Sequence, residues 1–534
     1  MPEEAKRMRT ETSHTPAAGP EGNGPQRVVL LRRTYNQWVA NQTLEDYALR
    51  FTAKRGRRFS RFQVASTALG AVSFLALEAI GGTITIAYGF NNAVAAILVV
   101  ALLIFLTGLP VTYHAAKAGL DIDLLTRGAG FGYIGSTVTS LIYASFTFIF
   151  LAIEAAIMAL MLELWFGLPL WAGYVLSAVI VIPLVTHGIT LISRFQTWTQ
   201  PIWLGLHLLP FVFLGYHGLV DVDGWSQYQG MHPDADGHFN LLLFGAAASV
   251  IFALVAQIGE QVDYLRFLPR ERNRGRLGWW VALLAAGPGW VIPGAVKMLL
   301  GSFLAYFALS MGSSPEKAVE PTEMYLTAFQ QVTANPALAL ALTGIFVIIS
   351  QLKINVTNAY AGSIAWSNFF SRLTRSHPGR VVWVVFNVAI ALMLMQLGIY
   401  RALEQILGLY CLVAVSWMGA LVADLVVNKP LGLSPRHIEF KRAHLYDINP
   451  VGMGSMLIAL FFGLIAFLGL LGETTQALAP FLALAIPFFT APLIALATAS
   501  RYYIARTSKA DWPPGEDVRC CVCEHAFEQE DMAA

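Results

Sequence analysis

The sequence predicts an all-α polytopic membrane protein of about twelve spans, and three observations carry that reading. Apolar runs near 20 residues recur along the chain, the length a helix needs to cross roughly 30 Å of hydrocarbon at ~1.5 Å per residue. Of 534 residues, 56% are hydrophobic and 13% charged, with mean hydropathy +0.58; a soluble domain carries about twice that charge. Basic residues also cluster in alternate loops, as the positive-inside rule requires.

Taken in order, residues 1–25 are rich in Glu, Thr, Pro and Gly and read as disordered. Arg27, Arg32, Arg33, Arg50, Lys54, Arg55, Arg57, Arg58 and Arg61 follow, which predicts a cytoplasmic N-terminus. No early apolar core marks a cleavable signal peptide. Spans are expected near 63–89, 91–113, 131–165, 169–190, 198–219, 241–264, 278–309, 336–366, 381–400, 404–427, 451–472 and 477–502. The predicted inner loops hold Lys117 and Arg127; Arg194; Arg266, Arg270, Arg272, Arg274 and Arg276; Arg372, Arg375 and Arg380; and Lys429, Arg436, Lys441 and Arg442. The outer loop 220–240 has acids and no Lys or Arg, and 310–335 has only Lys317. Arg401 alone sits on the wrong side, where it can snorkel. An even number of spans, both termini cytoplasmic and a location in the cytoplasmic (inner) membrane follow. The chain divides into a cytoplasmic segment 1–61, spans one to ten over 62–427, spans eleven and twelve over 428–502, and a cytoplasmic tail 503–534.

Several spans carry polar groups at membrane depth. In the eighth, Gln351, Asn355 and Asn358 fall at i, i+4 and i+7 and share one helix face, while Lys353 points to another. Such groups either line a small-molecule site or act as hydrogen-bonding glue between helices. In the first span Glu78 precedes Gly81-Gly82. That pair reads as an unwound segment lining a cavity, or as close packing in an intact helix. Phe150 and Glu154 of the third span are i, i+4 and can present a ring and a carboxylate to one ligand; a lone Phe is otherwise packing, but a buried acid needs a partner. The sixth span ends in Gln257, Glu260, Gln261, Asp263 and Arg266, with no glycine pair to mark a break. Asp263 and Arg266 read as a gate or a structural ion pair. Gly287-Pro288-Gly289 and Pro293 predict a kink in the seventh span, and Lys297 beyond it is snorkelling or paired.

What is missing from the sequence narrows the function. No G-x-x-x-x-G-K-[ST] phosphate loop supports an ATP-driven pump. No metal or nucleophile constellation supports an enzyme. His114, His187, His207 and His217 are scattered and read as structural. No cofactor and no nucleic-acid partner are expected.

Five segments, in order, resemble the nucleobase–cation symporter family that includes cytosine, purine, allantoin and hydantoin permeases. They are FLALEAIGGT (74–83), AGLDIDLLTRGAGFGYIG (118–135), DYLRF (263–267), NVTNAYAGS (355–363) and YDINPVG (446–452). The resemblance covers roughly residues 35–500. It implies two inverted five-helix repeats, spans one to five and six to ten, with discontinuous helices and two helices following. It also implies a substrate site near the midplane, between broken spans one and six and spans three and eight, worked by alternating access. Phe150 and Glu154 match positions that stack on and hydrogen-bond a heterocycle, and Asn355 and Asn358 match span-eight contacts. Glu78 stands beside the substrate and ion sites. With Gln257 and Gln351 these residues form the expected substrate set. A flat heterocycle needs an aromatic face and a few fixed donors and acceptors.

One departure concerns the coupling ion. Sodium-coupled members usually place small hydroxyl residues just before the first asparagine of span eight, where this chain has Lys353 and Ile354. The usual sodium site is therefore expected to be absent, with Lys353 as a tethered cation pairing with Glu78 and coupling to protons. In the tail, Cys520 and Cys523 form C-x-x-C with His525 nearby; this is half a zinc site or unstructured cysteines. A rival to transport remains open: a receptor that binds the heterocycle and signals to a cytoplasmic partner through its C-terminus.

Overall fold

The computed structural model describes residues 34–36, 39, 41–49, 51–53, 56–271, 275–506, 517–519 and 526–528. Among these, eight helices are long and apolar enough to cross a membrane: Phe90–Ala118, Gly135–Phe166, Leu241–Leu265, Pro288–Ser310, Pro336–Thr374, Leu403–Asn428, Pro450–Phe467 and Ala479–Ala497. Two bent pairs bring the number to ten if each is one span. Every expected span falls on helix, and those outside the eight are bent or short. The fourth and fifth expected spans, Leu170–Thr186 and Ile189–Tyr216, meet at 115°. Gly188 makes that corner with φ +81, a left-handed conformation that side chains resist. The expected seventh span is divided at Gly287, where Pro288 has no N–H to continue the ladder, into Arg276–Ala286 and Pro288–Ser310. The ninth, Arg380–Gln396, has only 17 residues.

The centre of the bundle is the 39-residue helix Pro336–Thr374, started by Asn335, whose side chain accepts from the amides of Ala337 (3.0 Å) and Leu338 (3.4 Å). At ~1.5 Å per residue it is roughly 58 Å long, well beyond a hydrocarbon core. From Lys353 to Asn368 every residue is buried, so all faces of this stretch meet protein. Its main neighbour is the third span, Gly135–Phe166.

The first span breaks, but not at the glycines. Helical structure over Arg61–Ser73 stops at Phe74, whose backbone is extended (φ −61, ψ 137), and resumes at Ala76, with a 43° bend. Gly81 and Gly82 lie inside the intact helix Ala76–Tyr88. A Cβ on Gly81 would collide with the Met298 carbonyl, and one on Gly301 with the Glu78 backbone. The glycines therefore let the first and seventh spans touch backbone to backbone, which overturns the expected break at Glu78–Thr83. The sixth span is interrupted without glycine: Leu241–Phe252 passes through a 3-10 stretch, Ala253–Gln257, into Ile258–Leu265.

At one end, the loop before the sixth span folds over the first: Phe90 N donates to Tyr228 O (2.9 Å) and Met231 N to Ile86 O (2.9 Å). At the other, the basic loops gather. Thr34–Tyr35 pairs in parallel with Ser376–His377, and Ala505 N donates to His444 O (2.8 Å). In the tail, Asp517–Arg519 pairs antiparallel with Ala526–Glu528; Cys520, Cys523 and His525 lie outside the described residues, as do residues 1–33.

Candidate functional site

A broken helix exposes two opposite poles: carbonyls where the first half stops, amides where the second begins. Here each pole is met by a charged side chain from a different span. The Glu154 carboxylate, from the third span, accepts from Leu75 N and Ala76 N, both at 3.2 Å. The Lys297 ammonium, from the seventh, donates to Phe74 O at 2.8 Å. Charge and dipole are correctly matched at both ends. Lys297 also pairs with Glu78 at 3.3 Å and lies 5.2 Å from the centre of the Trp203 ring. The Tyr325 hydroxyl donates to Glu78 Oε1 (3.0 Å) and stands 2.9 Å from His207 Nδ1. Trp203 Nε1 and Ser73 Oγ donate to Ser350 Oγ (2.9 Å) and Ser350 O (3.2 Å), tying the cluster to the eighth span. All these residues are buried.

This geometry corrects the expected Glu78–Lys353 pair. Lys353 points at the fifth span, donating to Gln196 O and Thr199 Oγ1, both at 3.1 Å, while Gln196 Nε2 donates to Lys353 O at 2.6 Å. The cation beside Glu78 is Lys297.

The other expected substrate residues are placed as follows. Phe150 is buried with its ring 4.6 Å from that of Phe146. Gln351 comes close to Glu154 without reaching hydrogen-bond geometry. Gln257 Nε2 donates to Glu260 Oε2 at 2.7 Å, within the sixth span. Asn355 and Asn358 are fully buried, and neither amide has a hydrogen-bond partner among the described residues. The same holds for both amide atoms of Gln261 and for Glu260 Oε1. Each stranded buried polar group costs about 1–3 kcal/mol, and folded proteins keep few. Glu260, Gln261, Gln351, Asn355 and Asn358 thus carry polar atoms without protein partners on the packed sixth and eighth spans.

The basic end holds an ion network that corrects the expected Asp263–Arg266 pair. Arg266 bonds instead to Asp121 (3.4 Å), Tyr47 O (3.3 Å) and the Tyr360 hydroxyl (3.4 Å). Asp263 accepts from the Tyr143 hydroxyl at 3.0 Å. Asp123 accepts from Arg127 (3.2 Å), and from Arg372 and Ser140. Asp121, Asp123 and Arg127 lie in the DIDLLTR segment, whose spaced acids and arginine were the available signal for a network. Nearby, Asp46 accepts from His377 Nε2 (3.1 Å) and Arg380 N (2.8 Å). Burial pushes its carboxyl up, but the His377 hydrogen bond and charge and the Arg380 amide outweigh that and hold it below its ordinary 3.8. A cavity of about 610 Å³, lined in part by Lys117, Arg270, Arg436, Trp279 and Phe440, also opens at this end, away from the break.

No family model and no curated protein matches the sequence. Solved structures do match. One is Mhp1, a nucleobase-cation-symport-1 family transporter, in a closed conformation with bromovinylhydantoin bound: TM-score 0.63, 16% identity, covering 86% of this chain and 99% of that one. Inward-facing Mhp1 matches with TM-score 0.63 at 15% identity, covering 90% and 96%. A substrate-bound, outward-open sodium-coupled sialic acid symporter matches with TM-score 0.56 at 13% identity, covering 86% and 94%. All three are membrane transporters, and at these identities the likeness establishes architecture. The chain therefore has the polytopic, inverted-repeat fold of the nucleobase-cation-symport-1 transporter Mhp1.

Proposed function

We propose that the chain is a secondary transporter of a small planar heterocycle of the cytosine, purine, allantoin or hydantoin class, working by alternating access. The observation that carries this reading is the charged break of the first span, with the partnerless Gln351 amide beside Glu154 and further partnerless buried amides on the sixth and eighth spans. Discontinuous helices at membrane depth occur where they line a protein cavity, and substrates of such folds sit beside them. In this reading Phe150 supplies the ring face. Asn355, Asn358 and Gln351 supply donors and acceptors, and Glu154 uses lone pairs left over after capping the second half-helix. Gln257 reaches the site through Glu260. Residues 62–427 form the transport core, 428–502 the two accessory helices, and both termini are cytoplasmic in an inner membrane. The resemblance to solved transporters lends no support to a sensor signalling through its C-terminus.

The coupling is read as sodium-independent, because Lys353 and Ile354 replace the small hydroxyl residues expected before Asn355. Uptake of radiolabelled cytosine, uracil, hypoxanthine, allantoin and hydantoin into proteoliposomes, with sodium or choline outside, tests the proposal. Saturable uptake of at least one compound, unchanged by choline and abolished by Asn358→Ala, is expected. No counterflow with any of the five would sink the substrate class, and an absolute sodium requirement would sink the coupling claim.

A further inference from the structure

We propose that Lys297 and Glu78 form the proton-coupling pair of this carrier, with Lys297 a resident cation clamped into the break of the first span. The proposal rests on the transport reading above and names its coupling groups. An ammonium has three donors. Lys297 directs one to Phe74 O (2.8 Å), forms an ion pair with Glu78 Oε1 (3.3 Å), and lies over the Trp203 ring at 5.2 Å. A helix-end carbonyl and a carboxylate are the oxygens a dissolved cation would seek there. This chain supplies the positive charge covalently, so no cation need be drawn from solution to hold the break.

Glu78 is built to take a proton. Its Oε1 pairs with the Lys297 ammonium and accepts from the Tyr325 hydroxyl, while its Oε2 has no hydrogen-bond partner among the described residues. The titratable groups facing the pair are Tyr325 from Pro321–Phe329, His207 from the fifth span and Glu154 from the third. The Tyr325 hydroxyl lies between Glu78 and His207, giving a path of exchangeable hydrogens into the pair. A proton taken from water on one side and relayed through His207 and the Tyr325 hydroxyl reaches the Glu78 carboxylate, turning it into the neutral acid and raising the charge of the pair by one. The attraction that anchors Lys297 then weakens, and with it the hold on Phe74 O. Proton occupancy and the geometry of the broken span are thereby linked, as two ligands of one conformational equilibrium are. Release of the proton on the other side restores the pair.

The test uses full-length protein in proteoliposomes, with whichever of the five labelled heterocycles exchanges. Entrance counterflow needs only the conformational cycle, whereas accumulation against a gradient needs coupling. In Lys297→Gln, accumulation driven by a pH gradient is expected to fall at least roughly tenfold, within the usual range of allosteric coupling. Counterflow is expected to persist at a reduced but measurable rate. An accumulation-to-counterflow ratio equal to that of the unchanged chain overturns the proposal. So does joint loss of both activities in a variant that stays monodisperse and melts normally, because the pair is then structural only. If Lys297→Gln cannot be recovered, Lys297→Arg keeps the charge and the hold on Phe74 O but changes the partner of Glu78. Its pH profile of accumulation is expected to shift, and an unshifted profile overturns the proposal. Absence of counterflow in the unchanged chain sinks the transport reading itself, a distinct failure.

Discussion

Replacing Glu154 by glutamine separates the two roles that its position suggests. In the structure its carboxylate caps the second half of the first span with two N–H bonds at 3.2 Å, fully buried. A hydrogen bond to a charged group contributes about 1.5–3 kcal/mol, and at this length the lower end applies. Glutamine keeps one carbonyl oxygen but turns an NH2 toward the other backbone N–H, so one bond is lost and one buried donor is stranded. The cost is about 2–3 kcal/mol. At ~2.1 cal/mol/K per residue, unfolding 534 residues carries an entropy near 1.1 kcal/mol/K, so the melting temperature should fall by about 2–3 °C. Glu154→Ala, which removes both bonds, should cost about twice as much. The measurement is thermal unfolding of detergent-purified protein without any heterocycle. If Glu154 served only to touch substrate, the ligand-free protein would not register its loss; a shift below about 0.5 °C refutes the capping argument.

Gly81→Ala or Gly301→Ala should cost about 1–3 kcal/mol, because the added methyl meets backbone rather than a yielding side chain. Gly205→Ala, in an exposed helical position with open space around it, should be neutral or gain up to ~1 kcal/mol; comparable melting losses at all three sites would argue against the backbone contact. Asp121→Asn leaves the buried Arg266 without its carboxylate partner and should cost about 3–5 kcal/mol, more than Asp263→Asn, which leaves the Arg266–Asp121 bond intact; equal or inverted melting losses would restore Asp263 as the partner. The depressed carboxyl of Asp46 stabilises the docked segment fully above its ordinary 3.8, and that contribution is lost as pH falls through the lowered value. Hydrogen exchange at the Ala48 and Arg380 amides, both bonded to Asp46, should therefore accelerate relative to the intrinsic rate in that acid window, and Asp46→Asn should remove the dependence.

The spans and their order were legible because hydropathy and loop charge are local properties, whereas the inverted-repeat fold was implied only by the resemblance of five motif segments to the nucleobase–cation symporter family. The site was legible in part. Glu78, Glu154, Asn355 and Asn358 stood out as polar groups in apolar runs, and all are buried. What failed was pairing. Both Lys297 and Lys353 are mid-bundle cations, and which one faces Glu78 depends on helix rotation and on contacts more than 200 residues apart in sequence. The break was misplaced for a related reason. Gly81 and Gly82 suggest flexibility when read alone, but they serve contact with Met298 and Met324. The true interruption at Phe74–Leu75 contains no glycine or proline. Its ends are held by side chains 79 and 223 positions away in sequence. Asp121 was missed as the Arg266 partner because Asp263, three residues from Arg266, offered a plausible local mate.

The two holds on the interrupted first span reach it from two separate spans. Glu154 stands on the third span and Lys297 on the seventh. The joint thus works like a seam stitched to two separate panels: sliding one panel past the other must tug on a thread at the seam. A small charge change at either stitch is consequently felt first where the chain has no helical ladder of its own to resist it.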